Sequence, residues 1–216
     1  MERYRLNHLG GCPLERNRSA QKTLRKPSGA AVPRADLTEA LYRAFFEEWA
    51  AHGFAALSLE RVAARAGAGK AAIYRRFASR HEFAAAAVSA LGLRIALPED
   101  RGSLEADVLA FLRQVRAVLR HPLIRRILPD LHAEAARSPQ MRALNTQVAE
   151  ARRAQGQALL DRAIARHELP ATLDRALAMD LLPATLYWRM VVIGATPTRA
   201  QLAAQATAIT AGLRRL

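Results

Sequence analysis

The sequence predicts an all-α protein in which a three-helix headpiece with a helix-turn-helix precedes a larger helical bundle, about nine helices in all. Three observations support this prediction. Apolar residues recur every three or four positions along the 216-residue chain, and no segment shows the alternation of a β-strand. Alanine contributes much of the 51% hydrophobic content, which favours closely packed helices. Two short helical segments flank a glycine turn at residues 67–69.

Residues 1–34 differ in character from the rest of the chain. They hold eight Lys or Arg residues and two Glu residues, with several prolines and glycines and no helical period. We therefore expect a disordered basic arm over residues 1–34. A solvated leader or a misplaced start codon would explain this segment equally well.

Residues 35–82 are predicted to form the headpiece, with one helix ending at Gly53, a second over 58–66 and a third over 70–76. Ala63 lies four residues before the turn glycine at position 67, and Ile73 lies six residues after it. The alanine lets two helices approach, the glycine takes the turn, and the isoleucine anchors the second helix of the pair on the core. This spacing is typical of a helix-turn-helix.

The charge of the chain indicates a polyanionic partner. Its formal net charge is +14, and only three of its 33 basic residues are lysine. Arginine forms bidentate contacts with phosphate, although GC-rich coding would also raise the arginine count. Because Lys70, Tyr74, Arg75 and Arg76 lie on the outer face of the third helix, the sequence predicts a short helix held in the major groove of DNA.

Residues 83–216 are predicted to form the bundle. A long fourth helix starts after Ser79, and five further helical segments follow a break at residues 98–102. Short connections between long amphipathic helices are typical of bundles. The five segments are 103–120, 123–137, 139–167, 173–194 and 198–215.

The headpiece resembles the TetR/AcrR family of bacterial transcriptional repressors over residues 44–91. The shared features are an aromatic residue after Gly53, the VAARAG core, the IYxxF motif and a Ser-basic-x-Glu cap at residues 79–82. The resemblance implies a helix-turn-helix that binds double-stranded DNA.

The resemblance also implies DNA contacts at matching positions. Ser58 would cap the second helix and contact a phosphate, Lys70 would project from the start of the recognition helix, and the Tyr74 hydroxyl would contact a phosphate. Gly69 and Ala72 depart from the family, which usually has a hydroxyl residue at the first position and often threonine at the second. Ala71 and Ala72 can still contact a thymine methyl, and we expect readout to rely on Lys70, Arg75 and DNA shape. The implied DNA-binding residues are Ser58, Gly69, Lys70, Ala71, Ala72, Tyr74, Arg75, Arg76 and Arg80.

The bundle resembles the family's ligand-binding domains, particularly over residues 121–144 and in the last two helices. The resemblance implies a homodimer built by the last two helices of each subunit, and apolar stripes on those helices fit such an interface. Intramolecular packing is the alternative explanation of the stripes. The predicted dimer-interface residues are Leu177, Leu181, Trp188, Ala204, Ala208 and Ala211.

A small apolar effector is expected between the bundle helices, because these helices carry more large apolar residues than one buried face needs. A fully packed core is the alternative. The candidate polar anchors are His132, Glu134 and Gln147. The predicted pocket residues are Phe83, Leu91, Phe111, Val115, Leu131, His132, Met141, Leu144 and Tyr187.

The sequence offers no convincing nucleotide-binding, metal-binding or catalytic motif. The GAGKAA segment at 67–72 follows a helix rather than a strand, and alanine stands after its lysine where a Walker A loop needs Ser or Thr. The six histidines lack metal-ligand spacing, and there is no GxSxG motif. We therefore expect no catalytic residue, metal or cofactor. A single cysteine, Cys12, and the lack of a long apolar run predict a cytoplasmic protein outside the membrane.

Together these features predict a DNA-binding transcriptional regulator that acts as a homodimeric, ligand-released repressor on a pseudo-palindromic operator. A non-specific basic DNA-binding protein without a ligand pocket is one alternative. An all-α enzyme is the other.

Overall fold

The computed structural model describes residues 34–92 and 99–216, which form nine α-helices and no strand. The all-α prediction is therefore confirmed. The predicted arm over residues 1–34 lies outside the described residues except for its last position. A single π-helical turn, Trp188–Val192, continues the eighth helix. The helices are α1 (Arg34–His52), α2 (Leu59–Arg65), α3 (Lys70–Tyr74), α4 (Arg80–Gly92), α5 (Leu104–Arg120), α6 (Pro122–Arg137), α7 (Pro139–Ala165), α8 (Arg175–Tyr187) and α9 (Arg199–Leu213).

Helix boundaries differ from the predicted ones by one or two residues where local caps are decisive. α6 begins at Pro122, because the His121 side chain accepts a hydrogen bond from the Leu123 N–H and proline suits a first helical turn. α7 ends at Ala165, two residues before the predicted end, because His167 adopts a left-handed φ of 59°.

An aromatic core unites the headpiece helices. Phe45, Trp49 and Phe54 are fully buried, and the rings of Phe45 and Phe83 stack edge to face with their centroids 4.9 Å apart. Since Phe83 belongs to α4, the start of α4 shares the core of α1. α4 also packs against α7, so the division between residues 82 and 83 falls within a helix that contacts both parts, and that division stays a prediction.

Ion pairs to a buried glutamate orient α2 on α1. Glu48 is fully buried, and its Oε1 accepts a hydrogen bond from the Nε of Arg61 at 2.5 Å. Arg65 approaches the other carboxylate oxygen at 3.5 Å. Both arginines lie on α2, so the helix-turn-helix is held at a defined rotation relative to the first helix.

A second charged network lies where α5 begins and α7 ends. Asp107 on α5 is fully buried and pairs with Arg166, which follows α7, at 2.9 Å. Arg166 also donates from Nε to Glu168 at 2.7 Å, and the Glu168 carboxylate accepts from the Leu104 N–H at the start of α5. The N-terminus of α5 is thereby joined to the C-terminus of α7.

Candidate nucleic-acid interface and internal cavity

The turn between α2 and α3 has the predicted construction. Ser58 caps α2 by accepting a hydrogen bond from the Arg61 N–H at 3.3 Å. Gly67 has a φ of 67°, and the Ala68 N–H donates to the Ala63 carbonyl at 2.9 Å, which closes the helix end. Ile73 is fully buried, so the inner face of α3 is anchored to the core and its outer face is held toward solvent.

α3 and the residues that flank it present several of the predicted DNA-binding residues to solvent. α3 ends at Tyr74, two residues before the predicted end, so Arg75 and Arg76 follow the helix. The Lys70 side chain is 62% exposed, and its Nζ lies 5.3 Å from the centre of the Tyr74 ring. Gly69, Ala71, Arg75 and Arg76 are also exposed, whereas Ser58, Ala72 and Arg80 are partly buried. The structure thus brings a cation, a phenol and two arginines together on one accessible surface.

Two of the predicted DNA-binding arginines already make contacts within the chain. Arg76 donates from Nη1 to the Thr38 hydroxyl of α1 at 2.9 Å. Arg80 donates from Nη1 to the carbonyl oxygens of Phe54 and Ala55, at 3.2 and 2.8 Å. Arg80 therefore braces the loop that connects α1 to α2, a role that the sequence motif did not indicate.

Glu60 was missed by the sequence analysis although it lies at the centre of this surface. Its carboxylate accepts from the Lys70 ammonium at 2.6 Å, from the Tyr74 hydroxyl at 3.3 Å and from the Ser58 hydroxyl at 3.0 Å. The Lys70 hydrogen bond is the main cause that lowers the pKa of Glu60 to about 2, with backbone and Ser58 hydrogen bonds adding to it. Three of the predicted DNA-binding residues, Ser58, Lys70 and Tyr74, thus bind one carboxylate in the free protein.

A cavity of about 270 Å³, partly open to solvent, lies between α5, α6, α7 and α8. Of the predicted pocket residues, Phe111, Val115, His132 and Tyr187 line it. The sequence analysis missed all the other residues of the wall. These are Gln114, Val118, Leu119, Leu128, Asn145, Val148, Ala149, Arg152, Arg153, Met179, Asp180 and Pro183.

The remaining predicted pocket residues lie elsewhere. Phe83 packs in the headpiece core, and the Leu91 side chain lies outside the described residues. Leu131, Met141 and Leu144 are buried but do not line this cavity. Adjacent residues of a helix point about 100° apart. The polar residues His132 and Asn145, which follow Leu131 and Leu144 in the chain, line the cavity instead.

Polar groups converge on one part of the cavity wall. The His132 Nε2 and the Tyr187 hydroxyl are joined by a hydrogen bond of 2.5 Å. Burial and then the nearby Arg152 charge lower the pKa of His132, while burial raises the pKa of the Tyr187 hydroxyl. Arg153 pairs with Asp180 at 2.5 Å. Of the other predicted polar anchors, Glu134 pairs with an arginine, and Gln147 hydrogen-bonds to a serine on α4.

A second cavity, of about 460 Å³, lies between α1, α4, α5 and α6. Its wall is mainly apolar, with Phe46, Leu123 and Ile127 among its members. Glu39, Arg43 and His121 contribute the charged and titratable groups.

Asp130 of α6 joins the bundle to the headpiece. Its Oδ2 accepts a hydrogen bond from the Trp49 indole N–H at 2.6 Å and another from the Phe54 backbone N–H at 2.8 Å. Leu128 and His132, two residues to either side of Asp130 on the same helix, line the first cavity. One helix therefore contacts both the cavity and the end of α1.

The predicted dimer residues lie on the surface of the described chain. Leu177 is 50% exposed and Trp188 59% exposed, and Ile193 beyond the π turn is 61% exposed. Ala204, Ala208 and Ala211 of α9 are exposed, whereas Leu181 is partly buried against the last helix near Gly212. Exposed large apolar residues beside a small-residue stripe form a surface suited to close helix packing.

Within residues 34–92 and 99–216, no group of three or more His, Cys, Asp or Glu residues is placed to hold a metal ion. In the same part of the chain, no helix combines the length and apolar character needed to cross a membrane.

Comparisons with known proteins match both parts of the chain. The model for bacterial regulatory proteins of the tetR family matches residues 40–87, and the model for the tetracyclin repressor-like C-terminal domain matches residues 98–209. The HTH-type transcriptional regulators Rv1556 of Mycobacterium tuberculosis and Mb1581 of Mycobacterium bovis are each 32% identical over 151 residues, which cover 68% of this chain and 73% of each relative.

Solved structures show the same architecture. Salmonella enterica GusR is similar with a TM-score of 0.70 and 21% sequence identity, covering 86% of this chain and 100% of that one. A TetR transcription regulator from Haloarcula marismortui has a TM-score of 0.66 and 19% identity, covering 83% of this chain and 98% of that one. At these identities the likeness concerns the fold.

Proposed function

The chain belongs to the TetR family of bacterial HTH transcriptional regulators, and we propose that it is a cytoplasmic homodimeric repressor that a small effector releases from a pseudo-palindromic operator. The observation that carries the DNA-binding part is the exposed surface of α3 and of the two residues after it. Lys70 and Tyr74 of α3 and the following Arg75 and Arg76 are exposed, while the inner residue of the helix, Ile73, is fully buried. Lys70 and Arg75 are proposed to reach base edges, and the Tyr74 hydroxyl a phosphate.

The proposed homodimer is supported by the exposed apolar face of α8 and α9. Leu177 and Trp188 lie 11 residues apart on the same side of α8 and its π-helical continuation, and both are half exposed or more. Two copies related by a twofold axis would bury this face, with the small side chains of α9 allowing close approach. A twofold dimer would present two α3 helices to successive major grooves, about 34–36 Å apart.

The proposed release mechanism runs through α6. An effector in the 270 Å³ cavity would contact Leu128 and His132, and Asp130 between them holds the end of α1 through Trp49 and Phe54. A shift of α6 would therefore move the headpiece and change the distance between the two recognition helices. Effector and operator binding would be reciprocally coupled, typically by about 1–3 kcal/mol.

Two alternatives make different predictions. A non-specific basic DNA-binding protein would use the net charge of +14 without discriminating between sequences. An all-α enzyme would convert a cavity ligand into a product, whereas the proposed regulator returns it unchanged.

The experiment that tests the proposal is fluorescence anisotropy on labelled DNA that flanks the gene for this protein, with a shuffled duplex of the same composition as competitor. The proposal predicts a specific affinity about 10³-fold or more above that for the shuffled duplex, with a steep fall in affinity between 50 and 200 mM salt. Equal affinity for both duplexes at every salt concentration would support the non-specific alternative.

A further inference from the structure

Two arginines line the 270 Å³ cavity, and they differ in their partners. Arg153 forms an ion pair with Asp180 at 2.5 Å. Arg152, its neighbour on α7, is partly buried and forms no ion pair with any residue of the described chain. The aspartate that also lines the cavity is thus committed to one arginine, and the other guanidinium is left without a counter-charge.

The rest of the cavity does not compensate the charge of Arg152. Most of the wall is apolar, with Phe111, Val115, Leu128 and Met179 among its members. A cation removed from water without a partner is costly, and burial accordingly lowers the pKa of Arg152. A bound anion would remove this cost, because a guanidinium and a carboxylate form two parallel, charge-assisted hydrogen bonds.

The neighbouring polar groups suit the same anion. Arg152 lies close enough to His132 and Tyr187 for its charge to influence both side chains, which are themselves joined by a hydrogen bond. The cation, the phenol and the imidazole therefore cluster at one place on an otherwise apolar wall. A ligand with one charged oxygen group and an apolar body would match this distribution.

We propose that the cavity binds an amphiphilic monocarboxylate, with its carboxylate on Arg152 and its apolar body against Phe111, Val115 and Leu128. This inference rests on the proposed function, since it names the chemical class of the effector. Cavities that hold drug-sized ligands usually measure about 300–1,000 Å³, so a volume of about 270 Å³ suits a smaller molecule. A medium-chain fatty acid is a suitable probe of this class.

Isothermal titration calorimetry with decanoate, decanol and decyltrimethylammonium tests the proposal on the full-length protein without DNA. The wild type should bind decanoate at least about tenfold more tightly than decanol, and the cationic probe should bind most weakly. Arg152→Gln should weaken decanoate binding about tenfold or more and leave decanol binding unchanged, because only the charged contact is lost.

Arg126→Gln is the matched control, because it removes the same charge from an exposed position on α6 that does not line the cavity. Thermal unfolding of both variants checks that each is folded, and Arg152→Lys should recover part of the decanoate affinity. Equal binding of decanoate by the wild type and Arg152→Gln would overturn the proposal. So would a preference for decanol, or no binding of any of the three probes.

Operator release is measured separately by anisotropy. If decanoate binds through Arg152 but the DNA stays bound, the ligand-class inference stands and the proposed release mechanism fails. If the operator is never bound specifically, the calorimetric result still decides the ligand class by itself.

Discussion

Replacing Asp130 with alanine should destabilise the protein strongly, because one carboxylate oxygen serves two buried donors. The Asp130 Oδ2 accepts from the Trp49 indole and from the Phe54 backbone N–H, and both of these residues are 1% exposed. An unsatisfied buried donor costs about 1–3 kcal/mol, so losing the acceptor of both donors should cost about 2–6 kcal/mol. For a chain of this length, about 1 kcal/mol shifts the unfolding temperature by roughly 2–4 °C, so we expect a fall of roughly 4–24 °C.

Differential scanning calorimetry measures this shift, and Asp130→Asn is the matched control. The asparagine carbonyl can occupy the position of Oδ2 and accept both hydrogen bonds, so the Asn variant should lose much less stability than the Ala variant. Asp130→Ala should also alter operator affinity at fixed salt, since the end of α1 loses the Asp130 hydrogen bonds that tie it to α6. An unfolding temperature and operator affinity equal to those of the wild type would refute the role assigned to this residue.

Three further predictions concern the DNA-binding face and the dimer. Glu60→Gln should raise DNA affinity several-fold in anisotropy titrations, because the Glu60 carboxylate pairs with the Lys70 ammonium in the free protein and competes with DNA for it. The pKa of Glu60 is about 2, so this carboxylate stays ionised between pH 8 and pH 5. Lowering the pH of wild-type titrations from 8 to 5 should therefore not produce the same gain through Glu60. Tyr74→Phe should weaken binding by a similar factor on specific and shuffled DNA in anisotropy titrations, and unchanged affinity on both would contradict the proposed phosphate contact. Trp188→Arg should convert the dimer to monomers in analytical ultracentrifugation at micromolar protein, because an unpaired charge buried in an apolar interface costs several kcal/mol, whereas Trp188→Phe should keep the dimer. A stable Trp188→Arg dimer would place the interface elsewhere.

Local sequence patterns were sufficient to predict the helices and the turn of the headpiece. Gly67 and Ile73 have roles set by backbone conformation and by burial within a few residues, so their spacing carries the information. The contacts of Arg80 could not be read in the same way. Its partners are backbone carbonyls 25 and 26 residues earlier in the chain, and carbonyl groups leave no mark on the amino-acid sequence.

The cavity was less predictable than the headpiece because it depends on how four helices rotate against one another. Phe111 and Val115, which the sequence analysis proposed for a pocket, line the cavity, whereas Leu131 and Leu144 belong to the buried core and do not line it. Hydrophobic periodicity identifies which side of a helix is buried but not which buried side chains face an empty space. Arg152 was missed for the related reason that a charged residue is expected on a solvated face.

Binding-site selection from a random DNA pool tests the central claim most directly, with the wild type and Lys70→Ala selected in parallel. The account predicts that the wild type enriches an inverted repeat whose half-site centres lie one helical turn apart, about 10 base pairs, or a multiple of it. Lys70→Ala should retain the repeat spacing and lose base preference within each half-site, because the spacing comes from the dimer and the preference from α3. A wild-type selection that enriches no motif, or that enriches single sites without twofold symmetry, would contradict a dimeric operator-binding regulator.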